Sequence, residues 1–238
     1  MSCDTTQSLM PAPLIYEAEY DYWPWGRLLD KLLDWLIKEA PREGIVFDYM
    51  CGTGRLLHLL SHERPDLILA GCDISKTFIS YGKEKYPDIQ LEVMDALQKN
   101  LSPKPDIILC LAGIHHLQPA TRLPFLDKVA SELNPDGFLI IGEECIRSWG
   151  NEIERKSAVM ELSIALLREL VTSGAPDEQL EAAIHVFQND LFLRGEFKCD
   201  IDEFVTMLSG KFIVKDVVQV WPTGGGPFGD YLIFSKLQ

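Results

Sequence analysis

Three aspartates close apolar runs in this chain: Asp48 in "IVFDYMCGTGRLL", Asp73 in "LILAGCD" and Asp95 in "IQLEVMD". The first leads into Cys51-Gly52-Thr53-Gly54, a tight turn that passes into a helical pattern. Glycine-bearing turns after a first strand hold nucleotides, so the question is which nucleotide. A triphosphate loop needs Gly-Lys-Ser/Thr to neutralise phosphate, and Arg55 and Leu56 stand there instead. A dinucleotide stays open, because Asp73 lies about twenty residues beyond the turn, where an acid takes a ribose hydroxyl. Against it, Leu57 holds the place of a third glycine, and Asp48 would repel a pyrophosphate. S-adenosylmethionine (SAM) has no phosphate and carries a sulfonium and an ammonium, so the same acids favour it.

A second group has chemistry of its own. His115 and His116 follow the run "DIILCLAGIHHL", and Glu143 and Glu144 close "GFLIIGEE". A histidine there could take a proton from a hydroxyl or ammonium, or it could serve packing and capping. The paired glutamates could hold a substrate amine or remain solvated. No third ligand is evident nearby, so no metal is expected. Upstream, "YEAEYDYWPW" carries Tyr16, Tyr20, Tyr22, Trp23 and Trp25. Such a run either staples onto the next helix or closes over a cation with aromatic faces. Tyr16 and Tyr22 are the expected lid residues, and the tryptophans are expected in the core.

Positioning these groups takes a regular frame. "WGRLLDKLLDWLIKEA" has Leu28, Leu29, Leu32, Leu33, Leu36 and Ile37 at helical spacing, ended by Pro41 and Gly44. Short apolar strands then alternate with helices, the pattern of a parallel sheet covered on both faces. The fold class is α/β, a doubly wound, seven-stranded, mostly parallel sheet whose last strand is antiparallel. An N-terminal lid helix and a helical cap after strand five complete it. The expected divisions are 1–43 (tail, aromatic lid and helix), 44–148 (nucleotide-binding core), 149–208 (cap) and 209–238 (a closing strand pair). Within the cap, Met160, Leu162, Ile164, Leu167 and Leu170 are read as a core stripe. "FQNDLFLRGEFK" and the glycine-rich "WPTGGGPFGDY" are candidate walls of an acceptor pocket.

Composition narrows the partners. The 238 residues are 47% hydrophobic and 24% charged, which allows one large domain with a sizeable core. The net charge of −14 repels phosphate backbones, so neither nucleic acid nor an anionic membrane is an expected partner. The start "MSCDTTQSLMPAPLIY" lacks the order of a secretory signal, and a cytoplasmic location is the expectation. Cys51, Cys72, Cys110 and Cys145 fall at or just past strand ends, where buried packing is expected. The cap helices leave a homo-oligomer open.

Taken in order, "DYMCGTG", "GCDIS", "VMDA" and "PDIILCLAGIHHL" resemble the four motifs of class I SAM-dependent methyltransferases. The resemblance covers 45–142 well and the terminal strand pair loosely. It implies SAM as cofactor and a small-molecule acceptor methylated on oxygen, nitrogen or carbon by in-line transfer. It assigns Asp48 to the methionine amino group, the backbone of Cys51 to Gly54 to the methionine portion, and Asp73 to the ribose hydroxyls. Asp95 takes the adenine amine, Ala96 donates from its backbone, Ile74 and Leu97 flank the ring, and carbonyls of Leu111 and Ala112 hold the ammonium. Tyr16 closes over the site. His115, His116, Glu143 and Tyr22 are the catalytic candidates. Met50 departs from the family, which has glycine there; either the chain approaches the cofactor less closely, or it turns without a positive φ. Two rivals remain: attack on a carbon of SAM other than the methyl, releasing methylthioadenosine, and a non-catalytic SAM or nucleotide sensor.

Overall fold

The computed structural model describes residues 11–98 and 101–238; the first ten residues of the expected tail lie outside them. In chain order the elements are α1 (Pro13–Tyr22), α2 (Trp25–Glu39), β1 (Ile45–Tyr49), α3 (Arg55–Glu63), β2 (Ile68–Asp73), α4 (Lys76–Lys85), β3 (Gln90–Val93) and β4 (Ile107–Leu111). There follow α5 (Pro119–Glu132), β5 (Phe138–Cys145), α6 (Glu152–Ser173), α7 (Asp177–Leu191), α8 (Ile201–Leu208), β6 (Phe212–Trp221) and β7 (Gly229–Leu237).

The strands form one sheet in the order β3-β2-β1-β4-β5-β7-β6. Pairings from β3 through β5 are parallel, and β7 runs antiparallel to both β5 and β6. Every residue of β4 is buried, as a central strand covered on both faces must be. The order reverses between β1 and β4, and in such sheets a crevice opens beyond the carboxyl ends of the strands at that point.

On one face, Leu28, Leu32 and Leu36 of α2 pack with Leu57, Leu60, Leu109 and Leu232. On the other, Phe125, Val129 and Phe204 pack with Ile108, Ile141 and Ile233. A third core lies in the insert. Its α6 is opened by Asn151, whose side chain accepts from Ile153 N and Glu154 N at 3.0 Å each, and closed by Gly174 at φ 72°. The buried stripe of α6 is Ala158, Val159, Leu162, Leu166 and Leu170. This corrects the expected stripe: Met160 and Ile164 are two residues out of helical phase with it and face solvent. The sequence left the bounds of α1 open and concealed α8; both are short, and the second is capped by Asp200 accepting from Glu203 N at 2.9 Å.

Candidate active site

The turn after β1 combines three left-handed residues: Met50 (φ 59°), Gly52 (φ 57°) and Gly54 (φ 82°). Of the two alternatives for Met50, a turn without a positive φ is therefore corrected. Methionine adopts the left-handed conformation, at a cost of roughly 1–2 kcal/mol. Ala112, just past β4, does the same at φ 45°. Strained non-glycine residues thus sit at both sides of the sheet's switch point, a pattern found where a site fixes the backbone. Glycine is required at position 52, where a Cβ would come within 2.4 Å of the Tyr16 hydroxyl.

The three aspartates meet the rim differently. Asp48 is 3% exposed, and its Oδ1 is buried with no hydrogen-bond partner among the described residues. Burial, and then the charge of Asp73, push its carboxyl up to about 8. Asp73 accepts from Ser75 N at 2.7 Å and Gly52 N at 3.0 Å; burial still lifts it to about 6. Asp95 accepts from Leu97 N and from the Gln98 amide, both at 2.9 Å. Beside these acids Ile74 and Leu97 are exposed, an apolar pair at the edge of the crevice, while Ala96 is buried. The amides of Cys51 and Gly54 are already engaged, by Cys72 O and Cys51 O at 2.9 Å each, so with Gly52 the turn has few free donors to offer.

Helix α1 closes one end of the crevice. Tyr16, Glu19, Tyr20, Asp48, Met50 and Leu111 line one cavity, together with Trp25 and Arg55. Tyr16 stacks on Phe78 with ring centroids 4.6 Å apart, and burial followed by the charges of Glu19, Asp73 and Asp48 holds its phenol well above the usual range. Glu17, 5% exposed, latches the helix down: it accepts from Thr53 Oγ1, from Lys85 Nζ at 2.8 Å and from Tyr86 Oη at 2.7 Å. Those bonds outweigh burial and keep its carboxyl below the ordinary value. From the insert, Gln179 donates to Ile15 O at 2.9 Å and accepts from the Trp23 indole at 2.7 Å. Tyr22, expected on the lid's inner face, packs instead with Trp23 against the insert core and does not line the cavity. Trp25, expected only in the core, does line it.

The far side of the rim is an ion-pair network. Glu143, fully buried, accepts from Gly113 N at 3.0 Å and Ile114 N at 2.6 Å, and its other oxygen meets His115 Nδ1 at 2.5 Å. His115 Nε2 lies 3.2 Å from Glu196. Burial disfavours its charge, but the two carboxylates override that and raise it to about 10. Both ring nitrogens are committed to carboxylates, so His115 is corrected from base to fixed cation, and Glu143 from solvated acid to its anchor. His116 differs. Its Nδ1 donates to Gly195 O at 3.0 Å, which leaves Nε2 with a lone pair, and burial plus the charge of His115 lower its pKa. His116 alone of the pair is suited to take a proton. Lys198 Nζ is buried against Asp190 at 2.6 Å, Glu144 at 3.2 Å and Glu196 at 3.3 Å, all of which hold its charge.

Ligand atoms of His115, His116 and Glu196 lie within 4.8 Å of one another, a set unseen in the sequence because Glu196 comes from the insert. Glu196 already serves His115 and Lys198, which a divalent ion would have to displace. Sequence reasoning also missed Glu17, Glu19, Lys198 and Asp230. The alternating acids of "YEAEYDY" were a signal for Glu17, since α1 places it and Tyr20 at i, i+3 on one face. Elsewhere in the insert, Asp190 and Asn189 are buried, while Phe192 points to solvent beneath Arg194. Four of the cysteines are fully buried, and Cys51 is partly so.

A family model described as a methyltransferase domain matches residues 46–137. A carboxy-S-adenosyl-L-methionine synthase from Campylobacter lari is 29% identical over 49% of this chain and 51% of its own. A trans-aconitate 2-methyltransferase from Escherichia fergusonii is 26% identical over 80% of this chain and 71% of its own. The chain thus spans about half the length of the synthase relative. Among solved structures, the N-methyltransferase NodS of Bradyrhizobium japonicum, in complex with S-adenosyl-L-homocysteine, superposes with a TM-score of 0.62. At 16% identity over 98% of both chains, it shares the fold.

Proposed function

From a chain that belongs to the class I SAM-dependent methyltransferase family, we propose an enzyme that transfers the SAM methyl group to a small-molecule acceptor. The observation that carries this reading is the buried, unpartnered Oδ1 of Asp48 at the switch point, in a cavity lined by Tyr16, Glu19, Met50 and Leu111. A carboxyl so placed fits a cationic ligand and is hostile to a pyrophosphate. The strand-end acids and the exposed Ile74 and Leu97 suit an adenosine without phosphates.

When bound, SAM supplies an electrophilic methyl group on a sulfonium, which needs alignment more than acid–base help. Asp48 would face the ammonium, and Asp73 retains lone pairs for the ribose hydroxyls beyond its two backbone bonds. Asp95 would accept from the adenine amine, with Ile74 and Leu97 on its faces. Helix α1, held down by Glu17 and Gln179, excludes water from the methionine end. His116 Nε2 is the base for an acceptor that arrives protonated. Glu143 and His115 position the loop after β4 through the bonds to Gly113 and Ile114.

A second reading has support in the synthase relatives, whose name denotes a modified SAM as product. Here the product's mass discriminates: S-adenosylhomocysteine marks methyl donation, methylthioadenosine an attack on another carbon, and a heavier sulfonium nucleoside a modification of SAM. Calorimetric titration with SAM tests the cofactor assignment. Asp73→Ala should weaken binding more than tenfold; unchanged affinity would refute it.

A further inference from the structure

Glu144 of β5 and Asp230 of β7 stand directly opposite each other in antiparallel register. Residues so opposed project from the same face of the sheet, with Cβ atoms about 4.5–5.5 Å apart, and like charges there repel. Neutralisation of this pair is incomplete. Lys198 reaches Glu144 at 3.2 Å, but the same ammonium serves Asp190 and Glu196. His115 is shared between Glu143 and Glu196.

Asp230 has no share in either cation. It is 3% exposed, yet its carboxylate has no hydrogen bond or ion pair among the described residues. Arg27, which acts on it only through its field, is bound to Glu169 at 2.9 Å. Glu19 likewise has no side-chain partner among the described residues, and burial, then the charges of Glu144 and Glu196, raise its pKa. Glu19 also lines the cavity that holds Asp48 and Leu111. Two carboxylates opposed at a nearly buried position repel unless a cation joins them, so the pair suits a positive charge beyond those the described residues supply.

We propose that the acceptor is a cationic amine whose ammonium group binds between Glu144 and Asp230. The proposal rests on the methyltransferase reading, which puts the methyl donor at the β1–β4 switch and the acceptor over β4, β5 and β7. An ammonium has donors to share between the two carboxylates and keeps a single charge beside Lys198. A divalent ion would bring twice the repulsion against that lysine. A carboxylated acceptor would meet only acids.

The test uses the full chain saturated with S-adenosylhomocysteine, titrated calorimetrically with a panel of primary and secondary amines, their isosteric alcohols and carboxylates, and magnesium chloride. At least one amine should bind tenfold or more tightly than its alcohol, with no binding of carboxylates. Asp230→Asn should lose tenfold or more in amine affinity, leave S-adenosylhomocysteine affinity within twofold and raise the Tm, because it removes the repulsion. Glu144→Gln should weaken the amine too, while lowering the Tm through loss of the Lys198 contact. The proposal is overturned if no amine binds, if alcohols match amines, if magnesium alone binds, or if Asp230→Asn lowers the Tm and spares the amine. Failure of S-adenosylhomocysteine itself to bind would instead overturn the cofactor assignment.

Discussion

At the β2–β3 end of the rim, Asp73 accepts from Ser75 N and Asp95 from Leu97 N, each two residues further on. At the β4–β5 end, Glu143 meets His115 across 28 residues, and Lys198 gathers Glu144, Asp190 and Glu196 from a strand and the insert. The first end is a set of local turns in which each acid keeps lone pairs for a ligand. The second is a buried network in which every ion depends on partners brought by the fold. On the proposed function, adenosine recognition would persist through changes in the rest of the chain, whereas the acceptor side would be tied to the insert.

The contrast should appear most strongly in stability. Glu143→Ala strands a buried imidazolium and two amides, and breaking such a pair costs about 3–5 kcal/mol, on the order of 10 °C in Tm. Asp95→Ala, on the partly exposed end, should stay within about 0.5 kcal/mol. Thermal denaturation of the two variants side by side checks this; equal losses would erase the distinction.

Next in size is the response to pH, where the two ends act in different windows. His115 keeps its proton up to about 10 in the folded chain, against about 6.5 unfolded. Its stabilisation is complete below about pH 6.5 and lost as pH climbs toward 10. Asp48 also holds its proton too long, up to about 8 against an ordinary value near 3.8, because burial disfavours the anion. Stability therefore also falls as pH rises from about 4 to about 8. In Tm-versus-pH curves, Asp48→Asn should flatten the lower arm and His115→Gln the upper. SAM should act on the lower arm only, releasing close to one proton at pH 7, which calorimetry in buffers of different ionisation enthalpy would detect. A SAM effect confined to the upper arm would place the cofactor at the wrong end.

The latch between lid and turn gives a smaller effect. Glu17→Gln keeps the shape but removes the charge that Lys85, Thr53 and Tyr86 bond. With charge-assisted bonds contributing about 1.5–3 kcal/mol, SAM should dissociate about tenfold faster with little change in association rate. Stopped-flow fluorescence of the α1 aromatics would resolve the two rates, and a change in association alone would rule the latch out.

The same contrast explains what the sequence disclosed. Asp48, the Gly52–Gly54 turn, Asp73 and Asp95 follow from strand ends and turn chemistry within a few residues, so the sheet and the acids and turn along its rim were legible. The roles of His115 and Glu143 were not, because one sequence cannot reveal that Glu196 will occupy the second ring nitrogen. Asp230 was visible as an acid after a glycine-rich loop, but its register opposite Glu144 exists only once β7 pairs with β5. The lid helix was expected, but its span over Pro13–Tyr22 was hidden for another reason. In "PLIYEAEYDY" the polar residue that is buried, Glu17, breaks the apolar periodicity a helix is recognised by.

Met50 lies on the seam between the two ends, and its substitution sharpens where that seam runs. Its backbone belongs to the cofactor turn, but its side chain leans the other way: a Cβ added at Gly113, after β4, would come within 2.7 Å of the Met50 sulfur. Met50→Gly relieves a left-handed methionine, a gain of roughly 1–2 kcal/mol. It also removes a half-buried side chain whose packing contributes a similar amount. Opposed effects of like size leave the Tm nearly unchanged and SAM affinity within about twofold. What should move is KM for the acceptor, because the space vacated borders Gly113 and the network behind it. If steady-state kinetics showed the reverse, with KM for SAM rising and that for the acceptor constant, Met50 would belong wholly to the adenosine half. The division between a locally built cofactor site and a tertiary acceptor site would then fall between β4 and β5 instead of at the turn.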